Sequence, residues 1–335
     1  MVIARKTLVI AGVLLVSGCA SYEPAGPPRA SLPLSEEFRQ YYAYPPGKPQ
    51  VTTATTERHP SYSVTKVMLS EPGASEPIQL TWYAPVASKP CPLILIAPIH
   101  GSDTFVVDGC AEVFAEQGWH AAIVKRPHDH FKPAGPLTQV EDFLRTAVIR
   151  QRQALDWLLT QPGVDPNRVG TFGISYGGII NAALAAVEPR ATVHVIDLAG
   201  GPLPGVMRTT EEQGLRRDWD RSRASHDLTN KQFYEALQKV VRTDPVKLAP
   251  YVDRDRVLML IARFDRSVPT QYQLKLWRAL GKPRADFVPL GHYTSILALP
   301  AHRQNLMSFF AAHFAQPSTE LVANSTAPPV ANEHR

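Results

Sequence analysis

Residues 171–178 read TFGISYGG, with one serine, Ser175, set among Gly173, Gly177 and Gly178. Glycine weakens both strands and helices, so three of them within six positions need a geometric reason. The flanks supply one. RVGTFGI (168–174) is an apolar, β-prone run, and the residues from Tyr176 to about Val187 are apolar and rich in alanine, as a buried helix would be. G-x-S-x-G between a strand and a helix is the pattern of a sharp turn that projects its serine. Neighbours two positions away must then lack bulk, which assigns Gly173 and Gly177; Gly178 fits a close helix–strand approach.

The same alternation extends in both directions. SVTKVML and IQLTWYA, separated by SEPGASEP, read as an antiparallel pair. PLILIA (92–97) is continuously apolar, as expected of a parallel strand covered on both faces. A helix through Val113 and Phe114 leads to HAAIVK (120–125). Next comes a long helix whose stripe is Val140, Phe143, Leu144, Ala147, Val148, Ala154, Leu155 and Leu158. Thr138 and Glu141 have capping-box spacing at its start. TVHVIDLA (192–199), RVLMLIA (256–262), a helix over 270–280, DFVPL (286–290) and a closing helix near 295–315 complete the series. The expected fold is α/β, a mostly parallel central sheet with helices on both faces. Residues 200–251 are expected to form a small irregular and helical lid, with Thr229 and Gln232 capping a helix that runs to about Val241.

A serine needs a base to become a nucleophile, and the base needs an orienting acid. On this architecture they follow the serine in the order acid, then histidine, each on a loop after a strand. Asp265 lies just past RVLMLIA, and His292 just past DFVPL. Both loops fall at the carboxyl ends of the strands, where open α/β sheets bind ligands. Asp197, after VHVI, is the competing acid. Backbone donors for an oxyanion are expected from Tyr176 and from the APIHGSD loop, where His100-Gly101 resembles an oxyanion-hole HG motif, a resemblance that implies the N–H of Ser102.

With these residues in view, the chain resembles the α/β-hydrolase superfamily over roughly residues 61–316. GISYGG and the preceding DWLLTQPGVDPNRVG look like the dienelactone-hydrolase, acetyl-esterase and prolyl-oligopeptidase-like branch. The resemblance implies a serine hydrolase that cleaves a small carboxylic ester with Ser175, Asp265 and His292, without metal or organic cofactor. It departs from prolyl oligopeptidases in that no propeller is read here, and from dienelactone hydrolases in carrying Ser175 where they use cysteine. A peptidase acting on short peptides is the alternative within enzymes. A catalytically silent binding lipoprotein is the alternative outside them. Acyl length, ester against thioester, and oligomeric state stay open.

The ends of the chain point to the cell envelope. MVIARKTLVIAGVLLVSGC has basic Arg5 and Lys6, then about ten apolar residues, too few to span a bilayer of about 30 Å but suited to a signal peptide over 1–18. Val16-Ser17-Gly18-Cys19 resembles a bacterial lipoprotein signal, which implies lipidation of Cys19; Ala20 after it implies the outer membrane, facing the periplasm. Pro-, Ser- and Thr-rich residues 19–60 are expected to be a flexible tether reaching roughly 35 Å, with Ser35–Tyr42 as a candidate short helix within it. Residues 317–335 lack periodicity and are expected to be a disordered tail.

Of the 335 residues 44% are hydrophobic, a globular composition. The net charge of +5 drops to +3 once Arg5 and Lys6 are removed, and no long basic run suggests nucleic acid. Cys91 and Cys110 are expected to be free thiols, since an intervening strand would hold them roughly 20 Å apart. His194 reads as a core or edge histidine. His128-Asp129-His130 reads chiefly as a polar loop at the active-site edge, with substrate contact or metal binding as alternatives. Trp219, Phe233 and Tyr234 either cover a pocket or pack locally.

Overall fold

The computed structural model describes residues 20–27, 31–45, 49–70, 76–100, 105–127 and 131–316. The strands are β1 (Ala20–Tyr22), β2 (Gln50–Arg58), β3 (Tyr62–Ser70), β4 (Ile78–Pro85), β5 (Cys91–Ala97), β6 (His120–Val124), β7 (Val164–Ile174), β8 (Val193–Asp197), β9 (Val257–Ala262) and β10 (Arg284–Val288). They form one sheet in the order β1-β10-β9-β8-β7-β5-β6-β4-β3-β2. Six neighbours from β10 to β6 run parallel, and β1 and the β2–β4 meander are antiparallel at the two ends.

The helices are α1 (Glu36–Tyr41), α2 (Phe105–Glu116), α3 (Thr138–Leu158), α4 (Tyr176–Val187), α5 (Leu203–Thr209), α6 (Gln213–Ser225), α7 (Asn230–Val240), α8 (Pro245–Leu248), α9 (Thr270–Ala279) and α10 (Leu299–Phe314). Side chains alternate across a strand, so a continuous apolar run feeds two cores. In β5, Leu93, Leu95 and Ala97 join the core under α3, α4 and α9. Ile94 and Ile96 join Phe114 of α2 and Phe310 of α10 on the other face.

Three expectations are corrected. Residues 20–27, 31–45 and 49–60 are not a free tether but lie on the domain. Tyr42 is 1% exposed and its hydroxyl meets Thr243 Oγ1 at 2.7 Å. The α3 guanidinium of Arg152 donates to the Tyr42 carbonyl at 2.7 Å, and that of Arg145 to the Tyr41 carbonyl at 2.6 Å. These polar contacts, with β1 on β10 and β2 on β3, replace the apolar periodicity that the segment lacks. Second, Thr138 and Glu141 form no capping box. Glu141 is buried and accepts from the Tyr41 hydroxyl, the Thr243 hydroxyl and the backbone N–H groups of Arg242 and Thr243. Third, the stretch 200–251 is mostly helical, α5 to α8; the capping box of Thr229 and Gln232 is present as expected.

Cys91 and Cys110 are free, Cys110 within α2, where burial followed by the Asp197 charge pushes its thiol up to about 12. His194 is a core histidine, its Nδ1 2.8 Å from Thr171 Oγ1. Trp219 packs edge-on against Phe233 with ring centroids 4.6 Å apart, and Leu237 completes that local cluster. The signal peptide over 1–18, Cys19, Ser102, His128–His130 and the tail over 317–335 lie outside the described residues. Among the described residues no helix is long and apolar enough to cross a membrane.

A buried charged triple ties the sheet together. His302, 3% exposed on α10, bonds Asp197 Oδ2 through Nε2 and Asp286 Oδ2 through Nδ1, each at 2.8 Å. Both ring nitrogens therefore face carboxylate acceptors. Burial opposes the cation, but the Asp197 and Asp286 carboxylates outweigh it and lift the imidazole to about 10. A pKa raised above the unfolded value of about 6.5 stabilises the fold fully below that pH, and the contribution fades as pH rises through about 10. Asp286 is held low in turn. Burial pushes it up, but the bonds from His302, Asn305 and Ser21 win, so its share is lost as pH falls below the carboxylate range. His302→Ala leaves two buried carboxylates without their cation and is expected to cost about 3–5 kcal/mol in urea unfolding at pH 7. The stability gap between wild type and variant should narrow steadily when the measurement is repeated from pH 7 to pH 10.

Candidate active site

Ser175 joins β7 to α4 with φ 59° and ψ −121°, in the left-handed region that L-residues other than glycine seldom adopt. Its N–H donates to the Asp197 carbonyl at 2.8 Å and its carbonyl accepts from Ile179 N–H at 3.0 Å, which holds the turn on both sides. The glycines are used as expected. A Cβ at Gly173 would fall on the Gly177 carbonyl, and one at Gly177 on the Ala97 carbonyl of β5. At Gly178 it would stand 2.7 Å from the Asp197 carbonyl oxygen, so this glycine brings α4 against the end of β8.

The structure brings the three predicted side chains together. His292 Nε2 is 2.9 Å from Ser175 Oγ, and His292 Nδ1 is 2.7 Å from Asp265 Oδ2. Asp265 is 4% exposed and accepts four bonds. Ser267 and Val268 N–H donate to Oδ1, each at 2.9 Å, and Gln273 Nε2 donates to Oδ2 at 2.7 Å alongside His292. This ionised acceptor sets the proton on Nδ1, leaving Nε2 to accept from the Ser175 hydroxyl. The Asp197 carboxylate is engaged elsewhere. Its Oδ1 accepts from Leu260 N–H at 2.9 Å and its Oδ2 is taken by His302.

Tyr176 opens α4, where a helix directs backbone N–H groups toward a developing negative charge. Its ring lies 6.0 Å from that of His100, on the loop after β5 that leads to Ser102. No group of three or more His, Cys, Asp or Glu suited to a metal occurs among the described residues.

Ser175 and His292 open on a cavity of about 610 Å³ whose walls include Ile99, Ile179, Leu203, Val206 and Met207. Sequence reasoning missed three polar groups here. Gln273 is fully buried and bridges Ala262 N–H to Asp265, a role signalled only by its helical position eight residues after the acid. Glu212 lines the cavity and accepts from Ser267 Oγ and, at 2.7 Å, from the Tyr293 hydroxyl. Burial pushes Glu212 up, but these two hydrogen bonds and the nearby His292 and His100 hold it below the usual carboxylate range. No local pattern marks either Glu212 or Tyr293.

The comparisons with known proteins agree with this fold. Residues 148–292, from α3 to the histidine, match the prolyl oligopeptidase family. Acetyl xylan esterase 1 from Thermoanaerobacterium sp. JW/SL YS485 superposes with a TM-score of 0.64 at 16% identity, covering 85% of this chain and 95% of that one. An acetyl xylan esterase from Paenibacillus sp. R4 gives 0.63 at 17% identity, covering 87% and 97%. The fold is that of the α/β-hydrolase superfamily. A "Thiohydrolase" from Eupenicillium brefeldianum is 22% identical over 197 residues, 47% of the chain. That match spans 61% of the fungal protein's length.

Gln273→Ala strands Ala262 N–H and takes a donor from Asp265. Unmet buried polar groups cost about 1–3 kcal/mol each, so a fall of that size is expected in thermal or urea unfolding. Turnover should fall as well, because the acid loses the bond that fixes its plane.

Proposed function

We propose that this α/β-hydrolase is a serine hydrolase that cleaves a carboxylic ester through an acyl-enzyme. The observation that carries the reading is the hydrogen-bonded chain from Asp265 through His292 to Ser175, whose hydroxyl stands at a strained turn facing an apolar cavity. Ser175 Oγ attacks the ester carbonyl while its proton passes to His292 Nε2. Asp265 stabilises the resulting imidazolium. The tetrahedral oxyanion takes hydrogen bonds from the N–H groups of Tyr176 and Ser102, each such donor being worth about 3 kcal/mol. Collapse breaks the carbon–oxygen bond, and His292 returns the proton to the departing alcohol. Water then repeats the sequence on the acyl-enzyme, releasing the acid and restoring Ser175. The apolar walls of Ile179, Leu203, Val206 and Met207 suit a hydrocarbon portion of the substrate. The esterases of similar fold suit ester chemistry without fixing its substrate.

We also place the protein, as part of this reading, in a bacterial cell envelope, lipid-anchored through Cys19 to an outer membrane and facing the periplasm. The basic start, the apolar run over 7–16 and Cys19 support it. A serine peptidase acting on short peptides is favoured by one observation, the prolyl oligopeptidase match over 148–292.

Ser175→Ala is expected to lower kcat by about 10⁶ and Asp265→Asn by about 10⁴. Asp197→Asn should lower it far less, and a larger loss there than at Asp265 would overturn the assignment of the acid. p-Nitrophenyl acetate and an aminoacyl anilide separate the two substrate classes: kcat/KM about a thousandfold or more higher on the ester is expected, a gap of roughly 4 kcal/mol. Comparable values would favour the peptidase.

A further inference from the structure

Eight large apolar side chains are exposed among the described residues, and five of them gather on one edge of the sheet. Phe105 starts α2, Phe264 follows β9, and Tyr293, Ile296 and Leu297 lie on the turn after β10. All three connections follow the carboxyl ends of parallel strands, and Tyr293 and Ile296 line the cavity itself. Phe264 is 67% exposed, Tyr293 72% and Leu297 62%. Single exposed apolar residues are ordinary, but a set of them around a cavity mouth marks an interaction surface.

The path of the chain identifies what lies on that surface. β1 runs antiparallel to β10, with Tyr22 opposite Ala285 and Ala20 opposite Phe287. Going backward from Tyr22 to Ala20 therefore leads toward the carboxyl end of β10, which is the mouth edge. Phe264 N–H donates to the carbonyl of Leu290, three residues beyond Phe287 and so roughly 10 Å along the strand direction. Cys19 is covalently bound to stay about 3.8 Å from Ala20, Cα to Cα. A lipid on Cys19, as proposed above, would thus join the chain one residue before the mouth-facing end of β1.

We propose that the mouth edge rests on the lipid bilayer, with these five side chains in the headgroup region and substrate entering from the membrane–water interface. The proposal rests on the anchoring given under Proposed function. Amphipathic surfaces seat apolar side chains about 5–10 Å into the headgroup boundary. Exposed Arg263 and Arg266 flank Phe264 and Asp265 on the same loop, and Arg266 shares only an exposed pair with Glu211 at 3.6 Å. Cations so placed suit anionic headgroups.

The test uses the full chain in vesicles of phosphatidylethanolamine and phosphatidylglycerol, with Cys91→Ser and Cys110→Ala leaving one reactive thiol. An environment-sensitive fluorophore is placed at Leu297→Cys or at Val86→Cys. Val86, 76% exposed, follows β4 at the opposite edge. A blue shift and quenching by brominated lipid are expected at position 297 and not at 86. Protein that sediments with vesicles while both labels report water would overturn the orientation and leave the anchoring intact. Protein that does not sediment would show that the anchoring fails, and the proposal with it. A blue shift at 297 in detergent that grows with protein concentration would assign the surface to a second copy, also overturning the proposal.

A second measurement avoids the cysteine background. Phe264→Ser with Leu297→Ser alters only exposed positions, so folding is unaffected. Hydrolysis of an ester dissolved in the vesicles should fall about tenfold or more, with a water-soluble ester unchanged. Equal rates on both substrates would count against the proposal. The fluorophore readout needs no turnover, so it stands whether or not the ester reading does.

Discussion

The close crossing of α4 over the ends of β5, β7 and β8 is the constraint on which the rest of the site depends. A left-handed serine is costly by itself, of order 1–3 kcal/mol, and persists only where surrounding contacts over-determine it. Here three glycines let backbone touch backbone: Gly173 under the Gly177 carbonyl, Gly177 under the β5 carbonyls and Gly178 under the Asp197 carbonyl. The Asp197 carbonyl also receives the Ser175 N–H. The hydroxyl that results stands above the sheet, where loops from β9 and β10 can reach it with an acid and a base.

The Asp197 side chain serves the same end. It joins His302, which joins Asp286, which accepts from Ser21 Oγ at 2.7 Å. One chain of charge and hydrogen bonds thus runs from the strand behind the serine to the first described residues. Breaking it at His302 would loosen β8, β10 and β1 together, because each contributes one member. The strand β1 is therefore part of the scaffold.

Much of this was legible in the sequence because the parallel strands are buried on both faces. PLILIA and RVLMLIA are continuous apolar runs, and each proved to be a central strand. Ser175, Asp265 and His292 were legible for a related reason: each follows such a run, so strand ends located them without knowledge of side-chain contacts. In the segment over 20–60 only the short helix near Ser35–Tyr42 was legible. Gln50–Arg58 is exposed at all nine positions and carries no alternation, as an edge strand paired on one side can. Tyr41 and Tyr42 are held by α3 residues 100 to 110 positions away, and Glu141 trades a capping role for that buried junction. Glu212 was invisible for the same reason, since only tertiary contact brings it to Tyr293. Gln273 was signalled only by its helical position eight residues after Asp265.

The central claim is that the strained serine is a working nucleophile. A fluorophosphonate probe tests it most directly, followed by mass spectrometry of the folded protein after proteolysis. One adduct is predicted, on the peptide that contains Ser175, absent from Ser175→Ala and much slower in His292→Ala. Folded protein that takes no adduct, or takes it on another residue, would contradict the account.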